Sequence, residues 1–275
     1  MCILFINVDP NPEKGGFRLV VATNRDEYYK RPAMSALIDK NGIIGGKDME
    51  PGREGGTWLS LRTKDQDNGK AKITYLGVLL NITGAKVDNA SGRGTIITDY
   101  LMTKKNFLEY TELLDQTLYN GYNFVTVELS KEDETIYHHS NFPRVNSSYI
   151  GKQTLGFGNS PIFTPLTKVT KGRQMFEDIL QKNLPVDELE KELLKLLKNE
   201  TRHLPDDELE RRQPLAFEEL SSIFIRLEAA GYGTRTHTII LVDYDWNLSF
   251  IEYTMEEPID LHNLKWKETR LNLKL

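Results

Sequence analysis

Strand-like segments near both ends of the chain place the strongest constraint on its fold. Residues 2–8 and 17–23 are rich in β-branched and aromatic side chains, and the Pro and Gly residues between them predict a hairpin. Residues 238–242 and 248–253 predict a second hairpin, because the segment that joins them is rich in Asp and Asn. The same kind of composition predicts further strands over residues 57–61, 73–81, 123–129 and 135–139.

An amphipathic helix is predicted in the middle of the chain. The residues Leu189, Leu193, Leu196 and Leu197 recur at helical spacing, and Glu and Lys residues occupy positions between them. The charged segment 200–212, which contains a proline, is expected to form a mobile loop. Strands at both ends with helices between them predict one α+β domain over residues 1–275, in which two antiparallel sheets stack and helices cover the outer faces.

Charge and cysteine content exclude several classes of protein. The chain has 35 Lys and Arg and 40 Asp and Glu residues, and its net charge of −5 is unfavourable for nucleic-acid binding. The single cysteine cannot form an internal disulfide, and the Cys and His residues lack zinc-site spacing, so we expect no metal cofactor. The apolar run 2–6 follows no basic segment, and no apolar stretch reaches the ~18 residues of a membrane span. We therefore expect a cytoplasmic protein without a transmembrane segment.

Cys2, the only cysteine, is the first candidate for chemistry. Initiator methionine is usually removed before a small residue, and its removal would leave the Cys2 thiol and a free α-amine on one carbon atom. The usual pKa of an α-amine is ~8 and that of a thiol is ~8.5, so the amine can accept the thiol proton. Cys2 would then supply both nucleophile and base. The structural alternative is a small hydrophobic residue within a strand.

The polar run Asn24-Arg25-Asp26-Glu27 follows the second predicted strand. One interpretation is purely structural: Asn24 caps a helix, and Asp26 and Glu27 are favourable acids of its first turn. The functional interpretation starts from the hairpin, which returns the end of its second strand to the start of its first. Arg25 would then stabilise a Cys2 thiolate, and Asp26 would orient the α-ammonium.

Other polar residues occur at strand ends or in glycine-rich segments. An amide from Asn81 or Asn159 could form an oxyanion hole. Arg235, in a glycine-rich segment expected to be a flexible loop, could bind a carboxylate, a phosphate or a thiolate. The neighbouring His138 and His139 lie in a predicted strand, so their side chains point to opposite faces and cannot share a metal ion. We expect both histidines at the surface.

Several motifs, taken together and in order, resemble those of the NRDE family. They are Met1-Cys2, Asn24-Arg25-Asp26-Glu27, Gly55-Gly56-Thr57-Trp58, Asn81 and Gly231-Tyr232-Gly233-Thr234-Arg235. The match runs over nearly the whole chain. The resemblance implies a four-layer αββα sandwich similar to the N-terminal nucleophile hydrolases, which include the cysteine amidohydrolases that cleave penicillin V and conjugated bile salts.

The resemblance also implies a role for each candidate residue. Cys2 matches the amidohydrolase nucleophile, and Arg25 and Asp26 match the residues that hold it. Arg18 is the alternative position for that arginine. Asn81 and Asn159 match the pair of catalytic side-chain amides, and Arg235 matches a site arginine that lies late in the chain. The residues expected to contact a bound ligand are Cys2, Asn24, Arg25, Asp26, Glu27, Trp58 and Arg235.

Family members are linked with haem movement, with acyl-CoA and lipid handling, and with mitochondria and Golgi organisation, so two functions follow. The first is a cytosolic protein that binds and traffics haem or an acyl-CoA. Cys2, a Met or a His would be the haem ligand, and Arg25 or Arg235 would bind the acyl-CoA phosphates. The second is a hydrolase of amides or thioesters, in which Cys2 attacks the carbonyl carbon and Asn81 stabilises the oxyanion. The sequence leaves the oligomeric state open.

Overall fold

The described residues form an α+β fold with two antiparallel sheets. The computed structural model describes residues 1–65, 72–84, 86–132 and 134–275. The strands are β1 (Ile3–Val8), β2 (Phe17–Tyr28), β3 (Ala33–Ile38), β4 (Ile44–Asp48), β5 (Leu59–Asp65), β6 (Lys72–Asn81), β7 (Tyr122–Leu129), β8 (Glu134–Asn141), β9 (Arg144–Ile150), β10 (Gln153–Phe157), β11 (Arg226–Leu227), β12 (Tyr232–Asp243), β13 (Asn247–Met255) and β14 (Trp266–Lys274). The α-helices are α1 (Gly94–Met102), α2 (Phe107–Glu112), α3 (Thr167–Leu180), α4 (Val186–Leu197), α5 (Asp207–Arg212) and α6 (Phe217–Leu220). Short 3-10 helices lie at Gln116–Leu118 and Glu228–Ala230.

Two groups of residues each build one sheet. The first group, Met1–Arg31 with Lys152–Lys274, orders its strands β10-β1-β2-β12-β13-β14, and the short β11 pairs with β12. The second group, Pro32–Gly151, orders its strands β3 to β9 as they follow in the chain. These pairings are antiparallel, so the predicted α+β class with two antiparallel sheets is confirmed. The single domain over residues 1–275 and the likeness to N-terminal nucleophile hydrolases stay predictions.

The predicted N-terminal hairpin is present, but its second strand is longer than expected. Ile3 pairs with Asn24, and β2 continues to Tyr28 because β12 pairs with it along its whole length. The run Asn24-Arg25-Asp26-Glu27 therefore lies inside a strand. The structural interpretation of Asn24 as a helix cap is wrong, since backbone pairing with a distant strand overrides the local preference.

Helices α3 and α4 cover one face of the first sheet. The leucines of α4 that recur at helical spacing are all buried, which confirms the predicted amphipathic helix. Helix α3 packs against β1, and Gly172 permits this close approach, because an added Cβ would lie 2.3 Å from Cζ of Phe5. The Phe5 ring stacks on Phe176 with centroids 5.8 Å apart. Burial of each such ring contributes about 2 kcal/mol to the free energy of unfolding.

The charged segment 200–212 contains a helix that the sequence did not predict. Residues Asp207–Arg212 form α5, so the expectation of a loop is wrong for this part. Asp206 caps the helix by accepting the backbone N–H of Leu209 at 2.9 Å. Pro205 precedes the helix and therefore does not interrupt it. None of the described helices is long and apolar enough to cross a membrane.

The two adjacent histidines of β8 are buried in the second group of residues, so the expectation that they lie at the surface is wrong. Each is accommodated by an asparagine on a neighbouring strand. His138 donates from Nε2 to Oδ1 of Asn123 at 3.0 Å, and His139 donates from Nδ1 to Oδ1 of Asn146 at 2.6 Å. Burial lowers the pKa of His138 to about 4, so the ring is neutral near pH 7.

Candidate functional site

Three neighbouring strands of the first sheet bring the candidate residues to one end. Leu4 lies opposite Phe157 of β10, and Ile3 lies opposite Asn24 of β2. Continued toward the start of the chain, this register places Cys2 between Asn159, two residues after β10, and Arg25 on β2. The structure thus brings together three of the residues predicted from the sequence.

The Cys2 sulfur contacts the backbone of Asp26. The backbone N–H of Asp26 points to Sγ at 3.5 Å, and the thiol donates to the carbonyl oxygen of Asp26 at 3.8 Å. Burial raises the pKa of the Cys2 thiol, and the terminal amine of the chain acts in the opposite direction, as does Arg25 more weakly. Because the pKa is raised, the thiol is protonated near neutral pH.

The carboxylate of Asp26 belongs to a compact polar cluster. Its Oδ1 accepts a hydrogen bond from the Thr234 hydroxyl at 2.5 Å, and its Oδ2 lies 3.6 Å from the amine of Met1. That amine donates to the Tyr232 hydroxyl, which in turn donates to the carbonyl oxygen of Asp26 at 3.2 Å. Burial raises the pKa of the Asp26 carboxyl, while the amine and then Lys168 act to lower it. The Asp26 carboxylate and the Tyr232 hydroxyl therefore contact the amine beside the cysteine, and the Thr234 hydroxyl holds the carboxylate.

Two members of this cluster come from the glycine-rich segment at the start of β12. Tyr232 and Thr234 supply the hydroxyls, and Thr234 also accepts the backbone N–H of Ile225 at 2.9 Å. The segment is a strand rather than the flexible loop expected from its glycines. Pairing with β2 orders it, because Thr234 lies opposite Asp26.

Lys168 is a buried titratable residue that the sequence analysis did not select. It lies on α3, is fully buried, and donates from Nζ to the carbonyl oxygen of Ser222 at 3.1 Å. Burial lowers its pKa to about 8, while Asp26, Cys2 and Asp206 raise it. Its position one residue before Val169 and four before Gly172, on the apolar face of α3, is the sequence signal that could have identified it.

Asn24 has a structural role that occupies its whole amide. Its Nδ2 donates to the carbonyl oxygens of Leu197 and Ile223 at 2.8 and 2.9 Å. Its Oδ1 accepts from Nδ1 of His237 at 2.7 Å. Asn24 thereby ties the end of α4 to the sheet. Glu27, the last residue of the run, accepts the backbone N–H of Tyr28 at 2.9 Å and lies at the partly exposed end of β2.

Arg235 is buried, and its guanidinium hydrogen-bonds the backbone at the end of β2 and in the segment that follows it. Its Nη1 donates to the carbonyl oxygen of Tyr28 at 3.0 Å and also to that of Arg31, and its Nη2 pairs with Glu257. It occupies a bulge of β12, where the pairing with β2 shifts register. These contacts stabilise the strand end, and they leave little of the guanidinium for a ligand.

Arg18, the alternative partner for Cys2, lies at the opposite end of β2. It donates to the carbonyl oxygen of Pro10 at 2.7 Å and its guanidinium lies over the Trp246 ring, 4.5 Å from the centroid. Seven residues of strand separate it from Arg25, a distance of about 23 Å at the usual rise per residue. Arg25 is therefore the arginine beside Cys2.

Asn81 and Trp58 belong to the second group of residues. Asn81 ends β6 and lies opposite Tyr122, and its side chain is exposed. The Trp58 ring lies so close to Gly46 that an added Cβ would approach it to 2.6 Å. A role for either residue at Cys2 stays a prediction. Among the described residues, no group of three or more His, Cys, Asp or Glu side chains is placed to hold a metal ion.

Comparison with known proteins identifies the family. The sequence profile described as Transport and Golgi organisation 2 matches residues 1–257. The Drosophila melanogaster protein named Transport and Golgi organization protein 2 is 38% identical over 98% of this chain and 97% of its own length. The human homologue of that name is 36% identical over 93% of each chain, and the Bos taurus homologue is 34% identical over 100% and 99%. The chain belongs to the Transport and Golgi organisation 2 family, as the resemblance of its motifs implied.

Proposed function

We propose that this member of the Transport and Golgi organisation 2 family binds and carries a small hydrophobic ligand, haem or an acyl-CoA, with Cys2 at the ligand site. The names of the relatives support a role in transport and Golgi organisation, and we extend the proposal to association with the Golgi or mitochondria. The observation that carries the binding role is the environment of Cys2. Cys2 is partly exposed at the sheet end, and its thiol is hydrogen-bonded to Asp26 and protonated near neutral pH.

A protonated thiol is a weak nucleophile but can contact a ligand. For haem, the Cys2 sulfur is the soft donor of this cluster, and binding to iron would require it to lose its proton. For an acyl-CoA, Arg25 is the better candidate for the phosphates, because Arg235 is already engaged with backbone carbonyls and Glu257. Haem therefore depends chiefly on Cys2, and an acyl-CoA depends chiefly on Arg25.

The direct test is binding by the purified chain of haemin, followed by its absorbance, and of palmitoyl-CoA, followed by calorimetry. We expect saturable binding of one of them at one site. Cys2→Ala should weaken haemin binding at least tenfold if haem is the ligand, and Arg25→Gln should weaken palmitoyl-CoA binding by a similar factor if acyl-CoA is the ligand. A factor of ten corresponds to about 1.4 kcal/mol.

The matched control for the arginine is Arg18→Gln, on the same strand but at its far end. This control should bind like the unmodified chain. If neither haemin nor palmitoyl-CoA binds saturably, or if Arg18→Gln weakens binding as much as Arg25→Gln does, the proposed ligand site is wrong.

A second function is favoured by the arrangement around the chain's first amine. The Asp26 carboxylate and the Tyr232 hydroxyl hold that amine next to Cys2. If Met1 is removed, Cys2 itself carries the amine, which accepts the thiol proton while sulfur attacks an amide or thioester carbonyl. The leaving group takes that proton as it departs, and water then hydrolyses the acyl thioester on Cys2. Asn159, which the sheet register places next to Cys2, would donate to the oxyanion.

Intact mass spectrometry and turnover separate the two functions. Loss of Met1 and steady product release from an acyl thioester or amide by the unmodified chain, absent in Cys2→Ala, would establish the hydrolase. A retained Met1 removes the base on which this mechanism depends. Full ligand binding by Cys2→Ala, without turnover by either protein, would contradict the hydrolase and the contact of Cys2 with the ligand.

A further inference from the structure

Met1 is buried, although it precedes the first strand of the sheet. Its side chain belongs to the apolar core that helices α3 and α4 form with the first sheet. Strand β1 begins at Ile3, and none of the described strand pairings includes Met1. Met1 is therefore held by its side chain, its amine and its bond to Cys2, and its loss would remove none of these strand pairings.

The amine of Met1 connects this apolar site to the Cys2 thiol. It donates to the Tyr232 hydroxyl and lies 3.6 Å from Oδ2 of Asp26. Oδ2 is buried and accepts no hydrogen bond from a described residue, whereas Oδ1 accepts from Thr234 at 2.5 Å. The backbone N–H of Asp26 points to the Cys2 sulfur at 3.5 Å. Asp26 thus lies next to both the amine and the thiol.

Removal of Met1 would open a space with two parts. One part is an apolar slot with the shape of a methionine side chain, and the other is polar, formed by Oδ2 of Asp26 and the Tyr232 hydroxyl. Methionine is unbranched, so the slot matches an unbranched apolar chain better than it matches a ring. Burial of such a chain is favourable in proportion to the apolar area that leaves water.

We propose that the space filled by Met1 is a ligand subsite next to Cys2, and that it receives an unbranched apolar chain once Met1 has been removed. A retained Met1 is then an internal plug, because its own side chain occupies the subsite. The inference rests on the proposed function and deepens it, since it names the part of the ligand that lies beside Cys2. Of the two ligands proposed above, an acyl-CoA has such a chain and haem does not.

The burial of Met1 also determines when the plug can leave. An aminopeptidase must take up the first residue of its substrate with the amine accessible. In the folded chain the Met1 side chain is buried and its amine contacts Tyr232 and Asp26. Removal of Met1 therefore has to precede folding, and a chain that folds with Met1 keeps the subsite closed.

A purely structural role is the competing explanation, in which Met1 only adds to the apolar core. Two reagents of equal carbon number distinguish the roles, hexyl and cyclohexyl methanethiosulfonate. In both reactions the Cys2 thiol loses its proton, its sulfur forms a disulfide with the alkylthio group, and methanesulfinate leaves. The ratio of the two rates is insensitive to a change in the reactivity of the thiol, because both reagents react with the same sulfur atom.

The experiment compares this rate ratio in the chain that retains Met1, in Met1→Gly and in the control Met1→Leu. Ubiquitin fusions cleaved by a deubiquitinase give each chain a defined first residue, and intact mass spectrometry gives the rates. We expect the hexyl-to-cyclohexyl ratio to rise at least about fivefold in Met1→Gly, where the slot is empty, and to change less than about twofold in Met1→Leu, where it is refilled. An unchanged ratio in Met1→Gly, or equal rises in both variants, would overturn the proposal.

If Met1→Gly fails to fold, the chain that starts at Cys2 decides the question. The proposal requires this chain to fold and to show the same rise in the ratio, and failure of either would overturn it. Rapid removal of Met1 from the folded chain by methionine aminopeptidase, at the rate seen with a peptide of residues 1–12, would also overturn it.

None of these measurements uses haemin or palmitoyl-CoA. The subsite can therefore fail while binding of one of those ligands stands, and ligand binding can fail while the change in the rate ratio stands. The two outcomes identify which of the two proposals is wrong.

Discussion

Buried polar groups are handled differently in the β8 histidines and in the Cys2 cluster. On β8, each buried histidine is neutral and hydrogen-bonds an asparagine on an adjacent strand. Near Cys2, the buried groups are instead titratable groups that carry charge when ionised, the carboxyl of Asp26 and the ammonium of Lys168. Burial is far more unfavourable for groups of the second kind, which are charged, than for the neutral groups of the first kind. Groups of the second kind mark candidate functional sites.

The largest expected effect is the pH dependence that Lys168 gives to stability. Its pKa is about 8 in the folded chain and 10.5 as its ordinary value. The unfolded chain therefore binds more protons between these values, and the free energy of unfolding rises with pH across this window, by up to about 3 kcal/mol. Urea unfolding at pH 7 and pH 10 should show this rise, and Lys168→Met should lack it.

The exposed Lys171→Met variant is the control and should retain the rise. If the free energy of unfolding depends on pH equally in Lys168→Met and in the unmodified chain, Lys168 is not the source of the rise.

A smaller effect is expected from Asn123→Ala, which removes the partner of His138. The buried Nε2 of the histidine would lose its acceptor, so the free energy of unfolding should fall by about 1.5 kcal/mol. The loss should be the same at pH 7 and pH 10, because the histidine is neutral at both. Asn11→Ala, at an exposed position, serves as the control and should change stability by less than about 0.5 kcal/mol. A loss that depends on pH above 7 would show that the β8 pairs are not neutral.

The smallest expected effect is on the reactivity of Cys2. The charge of Asp26 raises the pKa of the thiol, second to burial among the causes that raise it. Asp26→Asn should therefore increase the rate of alkylation by iodoacetamide at pH 7 about threefold, or about 0.7 kcal/mol. Intact mass spectrometry measures the rate of alkylation at a single site, since the chain has one cysteine.

Asp9→Asn, just past the other end of β1, is the matched control and should react at the unmodified rate. A slower reaction in Asp26→Asn would mean that Asp26 promotes the thiolate instead of opposing it.

Local patterns predicted the parts of this fold that depend on neighbouring residues. The hairpin of β1 and β2 and the helix α4 are examples, because turn residues and helical spacing are local signals. The histidines of β8 were misplaced because their asparagine partners lie on other strands. Strand β14 was not predicted, since its charged, half-exposed residues resemble a surface segment. Only the pairing with β13 makes it a strand.

The same limit applies to the candidate site. Cys2, Arg25 and Asp26 could be grouped from the sequence because one hairpin joins them. Lys168 could not, since α3 and β2 are far apart in the chain and only packing brings their side chains together. The predicted position of Trp58 at the site depends on the family resemblance alone, and that of Asn81 depends on the resemblance and on its place at a strand end.

The contact of Gly172 with Phe5 has a consequence for charge as well as for packing. Gly172 and Lys168 are one helical turn apart on α3, so the glycine that lets the helix approach β1 also fixes how deep the ammonium reaches. A side chain at position 172 would collide with the Phe5 ring, and a shift of the helix that relieved this collision would also change how deeply the Lys168 ammonium is buried. The absence of one methyl group therefore sets the spacing between this helix and the sheet, and with it the burial of a charged group.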